Sequence, residues 1–296
     1  MKARVFFRTK RACGVFAGAA ALLLISAGFG GRAWAITGGE PDGNRHPNVG
    51  AVIVYHPVYG IVPYFSGTLV HEKVFLTAGH GVASILDGEV TLLGVCFEPE
   101  LYMEPATWWP VAQVVADYVP RRGATPNKTD IGALVFEQPV TGITPAPLPT
   151  AGLLDKLKKD QDLRAGENGT RLTLVGYGWD LSFPHPQLIW PFEPVEVEYN
   201  GQTVLFWGGQ RNTAQSRFQG MNDAWLHLNQ SPPTGNGGTE IGDSGGPVFW
   251  TDPNGNQVVV SITAFGATVV GIGFYYRIDT VESLQFIQDV IDSLEE

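Results

Sequence analysis

Apolar and polar residues alternate in short runs along most of this chain, and glycine, proline, asparagine or aspartate interrupts nearly every run. Such runs lie at 49–55, 64–70, 73–77, 90–97, 111–118, 131–136, 171–177, 195–199, 224–228, 248–250, 257–265 and 268–278. A period near two, rich in β-branched and aromatic residues, predicts strands. Their spacing, with turn residues between them, predicts a sandwich or barrel. Long helical patterns do not alternate with the runs, which argues against a parallel α/β sheet. One helix is predicted. After Asp279 and Thr280, apolar residues fall at Val281, Leu284, Ile287, Ile291 and Leu294, a stripe at helical spacing. The segment 141–170 is rich in proline and glycine and holds a charged patch at 155–160. It reads as a connector between two β-rich halves, 36–150 and 151–296, with the patch as a solvated turn.

The first 35 residues have a different pattern. Lys2, Arg4, Arg8, Lys10 and Arg11 precede an apolar run at 15–29 and then Ala33-Trp34-Ala35. A basic start, an apolar centre short of the roughly 20 residues a membrane span needs, and a small-x-small exit predict a secretory signal peptide. Residues 1–35 are therefore expected to be cut off near Ala35, leaving a soluble exported protein, extracellular or periplasmic. The remaining 261 residues hold 13 basic and 29 acidic side chains, a charge of −16. That balance excludes nucleic acid or an anionic membrane as the main partner, since phosphate binding needs clustered Lys and Arg. Cys13 leaves with the signal, and Cys96 alone cannot form an internal disulfide. Set in a strand-like run, Cys96 reads as a buried, inert thiol.

The sharpest chemical signal is Gly242-Asp243-Ser244-Gly245-Gly246-Pro247. Glycines around a serine let the backbone approach a substrate and turn amide N–H groups toward one point, where they can hold an oxyanion. A serine hydroxyl is a weak nucleophile that needs a base, and the base needs an orienting acid. Gly242-x-Ser244-x-Gly246 also fits the nucleophile elbow of α/β-hydrolases, in which the histidine follows the serine. Here all six histidines precede Ser244. The order that survives is His, Asp, Ser. The histidines show no zinc-ligand spacing, so no metal is expected, and no cofactor is implied.

Thr77-Ala78-Gly79-His80, Asp130-Ile131-Gly132-Ala133-Leu134-Val135 and Gly242-Asp243-Ser244-Gly245-Gly246-Pro247 resemble the three catalytic segments of chymotrypsin/trypsin-like serine peptidases. Ser66-Gly67-Thr68-Leu69, Val175-Gly176-Tyr177-Gly178 and the closing helix are similar to that family too. The resemblance covers nearly all of 36–296. It implies an all-β fold of two packed six-stranded antiparallel β-barrels with a C-terminal α-helix. The first barrel would carry His80 and Asp130, and the second Ser244. It further implies Ser244 as nucleophile, His80 as general base and acid, and Asp130 as the group that orients the imidazole. The amides of Gly242 and Ser244 would form the oxyanion hole. Ile36-Thr37-Gly38-Gly39 resembles the start of activated trypsins, which implies that a new Ile36 terminus pairs with Asp243.

The same resemblance implies a specificity pocket built from Gly238, Thr239, Glu240, Ala264, Phe265, Gly266 and Gly273. Gly238 stands where trypsin has its basal aspartate, so a preference for Arg or Lys is not supported unless Glu240 turns inward. A large apolar or aromatic residue is the expected preference, and Ala264-Phe265-Gly266 should offer backbone to an extended substrate. A polypeptide substrate is the expected partner, with a protein inhibitor as a second, and a monomer is the expected state. Two other readings use the same residues: a non-catalytic binding protein on a protease scaffold, and an esterase.

Overall fold

The computed structural model describes residues 36–119, 129–178, 194–267 and 271–295. The expected signal segment 1–35, His185 and the first three residues of the run 268–278 lie outside the described residues. In chain order the first half forms β1 (Glu40–Pro41), β2 (Val49–His56), β3 (Gly60–His71), β4 (Val74–Thr77) and helix α1 (Gly79–Leu86). Then come β5 (Thr91–Cys96), β6 (Glu100–Leu101), β7 (Trp108–Trp109), β8 (Val111–Tyr118) and β9 (Asp130–Phe136). The second half opens with helix α2 (Leu153–Lys159), followed by β10 (Arg171–Gly176), β11 (Val195–Tyr199), β12 (Gln202–Phe206) and β13 (Gly209–Gln210). It continues through β14 (Asn212–Met221), β15 (Trp225–Asn229), β16 (Pro247–Thr251), β17 (Gln257–Ala267) and β18 (Ile272–Arg277) to helix α3 (Val281–Asp292).

The described residues are mostly β, with 46% strand and 14% helix. β14, β10, β16, β17, β18 and β15 pair in that order, and β14–β15 pairing shuts the ring into a closed six-stranded antiparallel barrel. The order β7-β5-β2-β3-β4-β9-β8 makes a second, half-barrel sheet. Neighbouring residues of one strand enter different cores, as a side-chain period of two requires. Val52 and Val54 fill the half-barrel. Leu172, Leu174, Val248 and Val260 fill the closed barrel. Ala51, Ile53, Val175, Phe249 and Val259 belong to a further cluster that takes residues from both sheets. With both faces buried, the strands read as continuous apolar runs more often than as strict alternation.

The main strands divide near residue 150, but the chain crosses that boundary both ways. β1 pairs with β14 of the closed barrel. The β11–β12 hairpin touches β3 through Phe206 and Ile61, and β6 pairs with β13. The described residues, from Ile36 onward, belong to one compact unit.

No disulfide is available to staple this unit, since Cys96 is free and 1% exposed, with burial pushing its thiol pKa up. A buried guanidinium takes that place. Arg211 is 0% exposed. Its Nε donates to Asp42 Oδ2 at 2.9 Å, and its Nη1 to the carbonyls of Val49 and Phe97 at 2.9 Å and to the Tyr177 hydroxyl at 3.1 Å. Nη2 donates to Gly43 O at 3.0 Å and Asn44 Oδ1 at 3.1 Å. His46 holds the other oxygen of Asp42 and stacks on Phe249 at 5.2 Å. Burial by itself would raise the Asp42 carboxyl. The hydrogen bond and charge of His46, with the charge of Arg211, hold it below the usual carboxylate range.

Three features differ from the sequence expectation. The patch at 155–160 is largely helix α2, held by Leu154 N–H on Asp279 Oδ2 at 2.8 Å and by Arg277 on Asp155 at 2.6 Å. α1 is a second unforeseen helix. In α3 the buried positions are Ser283, Ile287 and Val290, while Val281 is 68% exposed. Leu284, Ile291 and Leu294 of the predicted stripe are half-buried, so the helix docks on that stripe widened to Ser283 and Val290, with Val281 left out.

Candidate active site

His80 is the second residue of α1, and Asp130 opens β9. Glycine at 79 is what lets them meet. A Cβ there would sit 2.8 Å from the Ile131 carbonyl and 2.9 Å from both the Ile131 amide and the Tyr118 Cβ. Only a residue without a side chain brings the helix so close to the strand. α1 has no side-chain cap from Ala78. Instead, the His80 amide donates to Asp130 Oδ1 at 2.9 Å. The carboxylate thus satisfies an orphan donor at the positive end of the helix.

The His80 Nδ1 lies 3.1 Å from Asp130 Oδ1 and 3.0 Å from Oδ2. A carboxylate only accepts, so Nδ1 carries the proton and Nε2 is left as the acceptor. The Asp130 side chain is 1% exposed and that of His80 33%. A buried acid therefore backs an imidazole whose other edge reaches solvent.

Ser244 sits on a turn built from the hexapeptide motif. Gly242 and Gly245 take φ of 94° and 80°, the left-handed region that glycine tolerates best. Asp243 N–H donates to Glu240 O at 3.0 Å, and Gly246 N–H to Asp243 O at 2.8 Å. Gly245 N–H holds Thr263 O at 2.7 Å. Among the hydrogen bonds of the described residues, neither the Gly242 nor the Ser244 amide donates to an acceptor. Neither amide is therefore used in holding the turn itself.

The two sheets bring serine and histidine to one place through Ser66. Its amide donates to the Ser244 carbonyl at 2.8 Å, and its carbonyl accepts the Thr77 hydroxyl at 2.7 Å. Its own hydroxyl bonds to Gly242 O at 2.9 Å and accepts from Tyr177 N–H at 2.9 Å. A Cβ on Gly245 would come within 2.1 Å of Thr77 Oγ1 and 2.5 Å of the Ala78 amide. The nucleophile turn therefore packs against the residues just before His80. No hydrogen bond joins His80 Nε2 to Ser244 Oγ, a contact that often tightens only with substrate bound.

Asp243 is 0% exposed. Its Oδ1 accepts from Gly178 N–H at 2.8 Å and its Oδ2 from Glu240 N–H at 2.9 Å. Gly176 and Gly178 wrap this carboxylate, because a Cβ on either would fall 2.2 Å to 2.7 Å from its oxygens. Ile36 is also fully buried. Thr37 exchanges hydrogen bonds with Gly238 at 3.0 Å and 2.9 Å, and its hydroxyl donates to Glu240 Oε1 at 3.0 Å. One carboxylate oxygen of Glu240 thus meets the 36–40 segment.

Of the remaining pocket residues, Gly238, Thr239 and Ala264 are buried, and Phe265 and Gly266 are exposed. Phe265 stacks on Phe274 at 4.6 Å. β16 follows β17 only as far as Ile262, so Ala264–Gly266 keeps a ladder on the β18 side alone. One residue at this place was missed in the sequence. Gln230, immediately after β15, lies against Gly238, Gly266 and Gly273 together. No motif marks it, and only the barrel closure brings it there.

No protein-family model matches this chain, and no curated protein matches it.

Proposed function

We propose that this protein is an exported serine endopeptidase of the chymotrypsin type, working through His80, Asp130 and Ser244. The observation that carries the reading is the buried Asp130 carboxylate at 3.0 Å from His80 Nδ1, beside a glycine turn that presents Ser244 and two undonated amides. In this reading His80 Nε2 takes the Ser244 proton as Oγ attacks the substrate carbonyl. The Gly242 and Ser244 amides receive the developing oxyanion. His80 then gives the proton to the leaving amine, and an acyl-enzyme remains on Ser244. Water, deprotonated by the same imidazole, hydrolyses the ester and restores the serine. Asp130 stays ionised and holds the imidazole tautomer throughout. A polypeptide is the proposed substrate, and a protein inhibitor would bind the same cleft.

Export enters the same proposal. Removal of 1–35 would free the α-amino group of Ile36 to pair with Asp243. The support is the burial of Ile36 and the tie between Thr37 and Gly238, on the same loop as Asp243. An α-amino group has a pKa of about 8, and an ion pair raises it. The ordered site is then complete below that ordinary value and is lost as pH rises through the raised one.

Fluorophosphonate labelling of the exported protein tests the chemistry. Covalent labelling confined to Ser244 is expected, followed by cleavage of a peptide library. A folded protein that takes no label sinks the catalytic reading in favour of a binding protein, and labelling with ester but no peptide turnover favours an esterase. N-terminal mass analysis tests the export step, with Ile36 as the expected first residue.

A further inference from the structure

The pocket expected beside Ser244 has its three glycines turned toward one side chain. A Cβ on Gly238 would lie 3.0 Å from Gln230 Cβ, one on Gly266 3.0 Å from Gln230 Oε1, and one on Gly273 2.5 Å from Gln230 Nε2. Gln230 itself is 2% exposed. Its Nε2 donates to Thr239 Oγ1 at 2.9 Å and Tyr275 OH at 3.0 Å, and approaches the Thr239 carbonyl at 3.4 Å. A carbonyl can only accept, and this 3.4 Å approach sets the nitrogen toward Thr239 and the oxygen toward Gly266. That oxygen, Oε1, has no hydrogen-bond partner. A buried carboxamide acceptor left unmet carries a desolvation cost that a ligand donor can relieve.

Both strands of chain that flank this side chain lead to the nucleophile. Gly238, Thr239 and Glu240 run into the turn of Ser244. Gly266 ends the segment that starts at Thr263, whose carbonyl holds the Gly245 amide at 2.7 Å. We infer that Gln230 is the specificity-determining residue of this site. Its side chain fills the space that three glycines leave open and offers one acceptor, so the site takes a short side chain, serine or threonine ahead of alanine, at the residue whose carbonyl is attacked. The inference rests on the peptidase reading above and replaces the large apolar preference expected from the glycines alone. Gln230 touches the substrate side chain, not the reacting atoms, and acts on selection.

The test compares the exported wild type with Gln230→Ala and Gln230→Leu on peptides that vary only at that residue, each enzyme counted by fluorophosphonate titration. The wild type should cleave after Ser, Thr and Ala at least about tenfold better in kcat/KM than after Leu or Phe, the scale of a filled against an open pocket. Gln230→Ala should raise the Phe and Leu rates about tenfold or more. Gln230→Leu keeps the volume and removes the acceptor. It should still reject Phe while the ratio of Ser to Ala falls, and this outcome decides the matter if the alanine variant yields no titratable enzyme. A labelled wild type that prefers Phe or Leu overturns this inference and leaves the peptidase intact. So does a titratable Gln230→Ala with an unchanged profile. A wild type that takes no label overturns both.

Discussion

Arg211 and Gln230 are both polar side chains shut away from water, yet they are treated in opposite ways. Every nitrogen of Arg211 finds an acceptor, drawn from β1's flank, β2, the β5–β6 connection and β10's end. Gln230 keeps an unmet oxygen, one of four such buried side-chain atoms among the described residues. A charge cannot be buried at tolerable cost without full pairing, so the Arg211 cluster is a structural joint. An amide can be left short by one bond, and where it is left short beside a nucleophile it becomes a binding feature. The contrast separates two ways of failing: the joint should lose stability and keep its chemistry, and the site should do the reverse.

The largest expected effect falls on the site. Ser244→Ala should lower kcat by a factor on the order of 10⁶ while the unfolding midpoint in urea stays put. Retention of more than a hundredth of the activity would falsify Ser244 as nucleophile. Asp130→Asn should cost about 10⁴ in kcat, because an amide presents the wrong face to Nδ1. Its effect on stability should be modest by comparison, although the His80 amide loses its charged acceptor.

At the joint, Asp42→Ala leaves the guanidinium buried without its counter-charge and should cost about 3–5 kcal/mol of folding stability. Urea unfolding measures it, and the surviving folded fraction should keep wild-type kcat. Next is its pH dependence. The Asp42 carboxyl titrates below its ordinary value in the folded protein, against about 3.9 unfolded. Its contribution is therefore complete above the unfolded value and fades as pH falls through the folded one. The stability gap between wild type and Asp42→Asn should be widest near neutrality and should narrow as pH falls below the ordinary carboxylate value. A gap that stays constant would remove Asp42 from the account of acid stability.

The smallest effect bridges the two regions. Gly176→Ala would press a methyl to within 2.2 Å of Asp243 Oδ1. Overpacking of this kind costs about 1–3 kcal/mol. Because the strained group is the carboxylate behind the nucleophile turn, kcat should fall along with stability. A variant that loses stability alone would place Gly176 with the joint.

Much of this was legible along the chain. The strand runs at 49–55, 111–118, 131–136 and 171–177 fall on β2, β8, β9 and β10, because short runs rich in β-branched residues between turn residues favour the extended chain. The hexapeptide around Ser244 announced a turn, and two of its glycines do take left-handed φ. β14, which links both ends of the barrel ring, was not visible. Apart from Phe218, its buried residues are small or polar: Thr213, whose hydroxyl bonds to Leu174 O at 2.9 Å, Ala214, and Ser216, whose hydroxyl bonds to Gly237 O. No apolar alternation survives there. α2 escaped for a similar reason, since tertiary hydrogen bonds to Asp279 and Arg277 hold a seven-residue helix that its charge-rich sequence does not advertise.

Local chemistry determined by itself where most strands run, where the backbone must be glycine, and which serine stands between left-handed glycines. These depend on steric and rotamer preferences that act over a few residues. Tertiary structure alone decided that Asp130 lies under His80, that Ser66 ties their sheet to the Ser244 turn, and that a glutamine 14 positions before the serine lies against Gly238, Gly266 and Gly273. Those outcomes depend on how six strands close into a ring, which brings residues distant in sequence within hydrogen-bond reach and leaves no trace in any one segment.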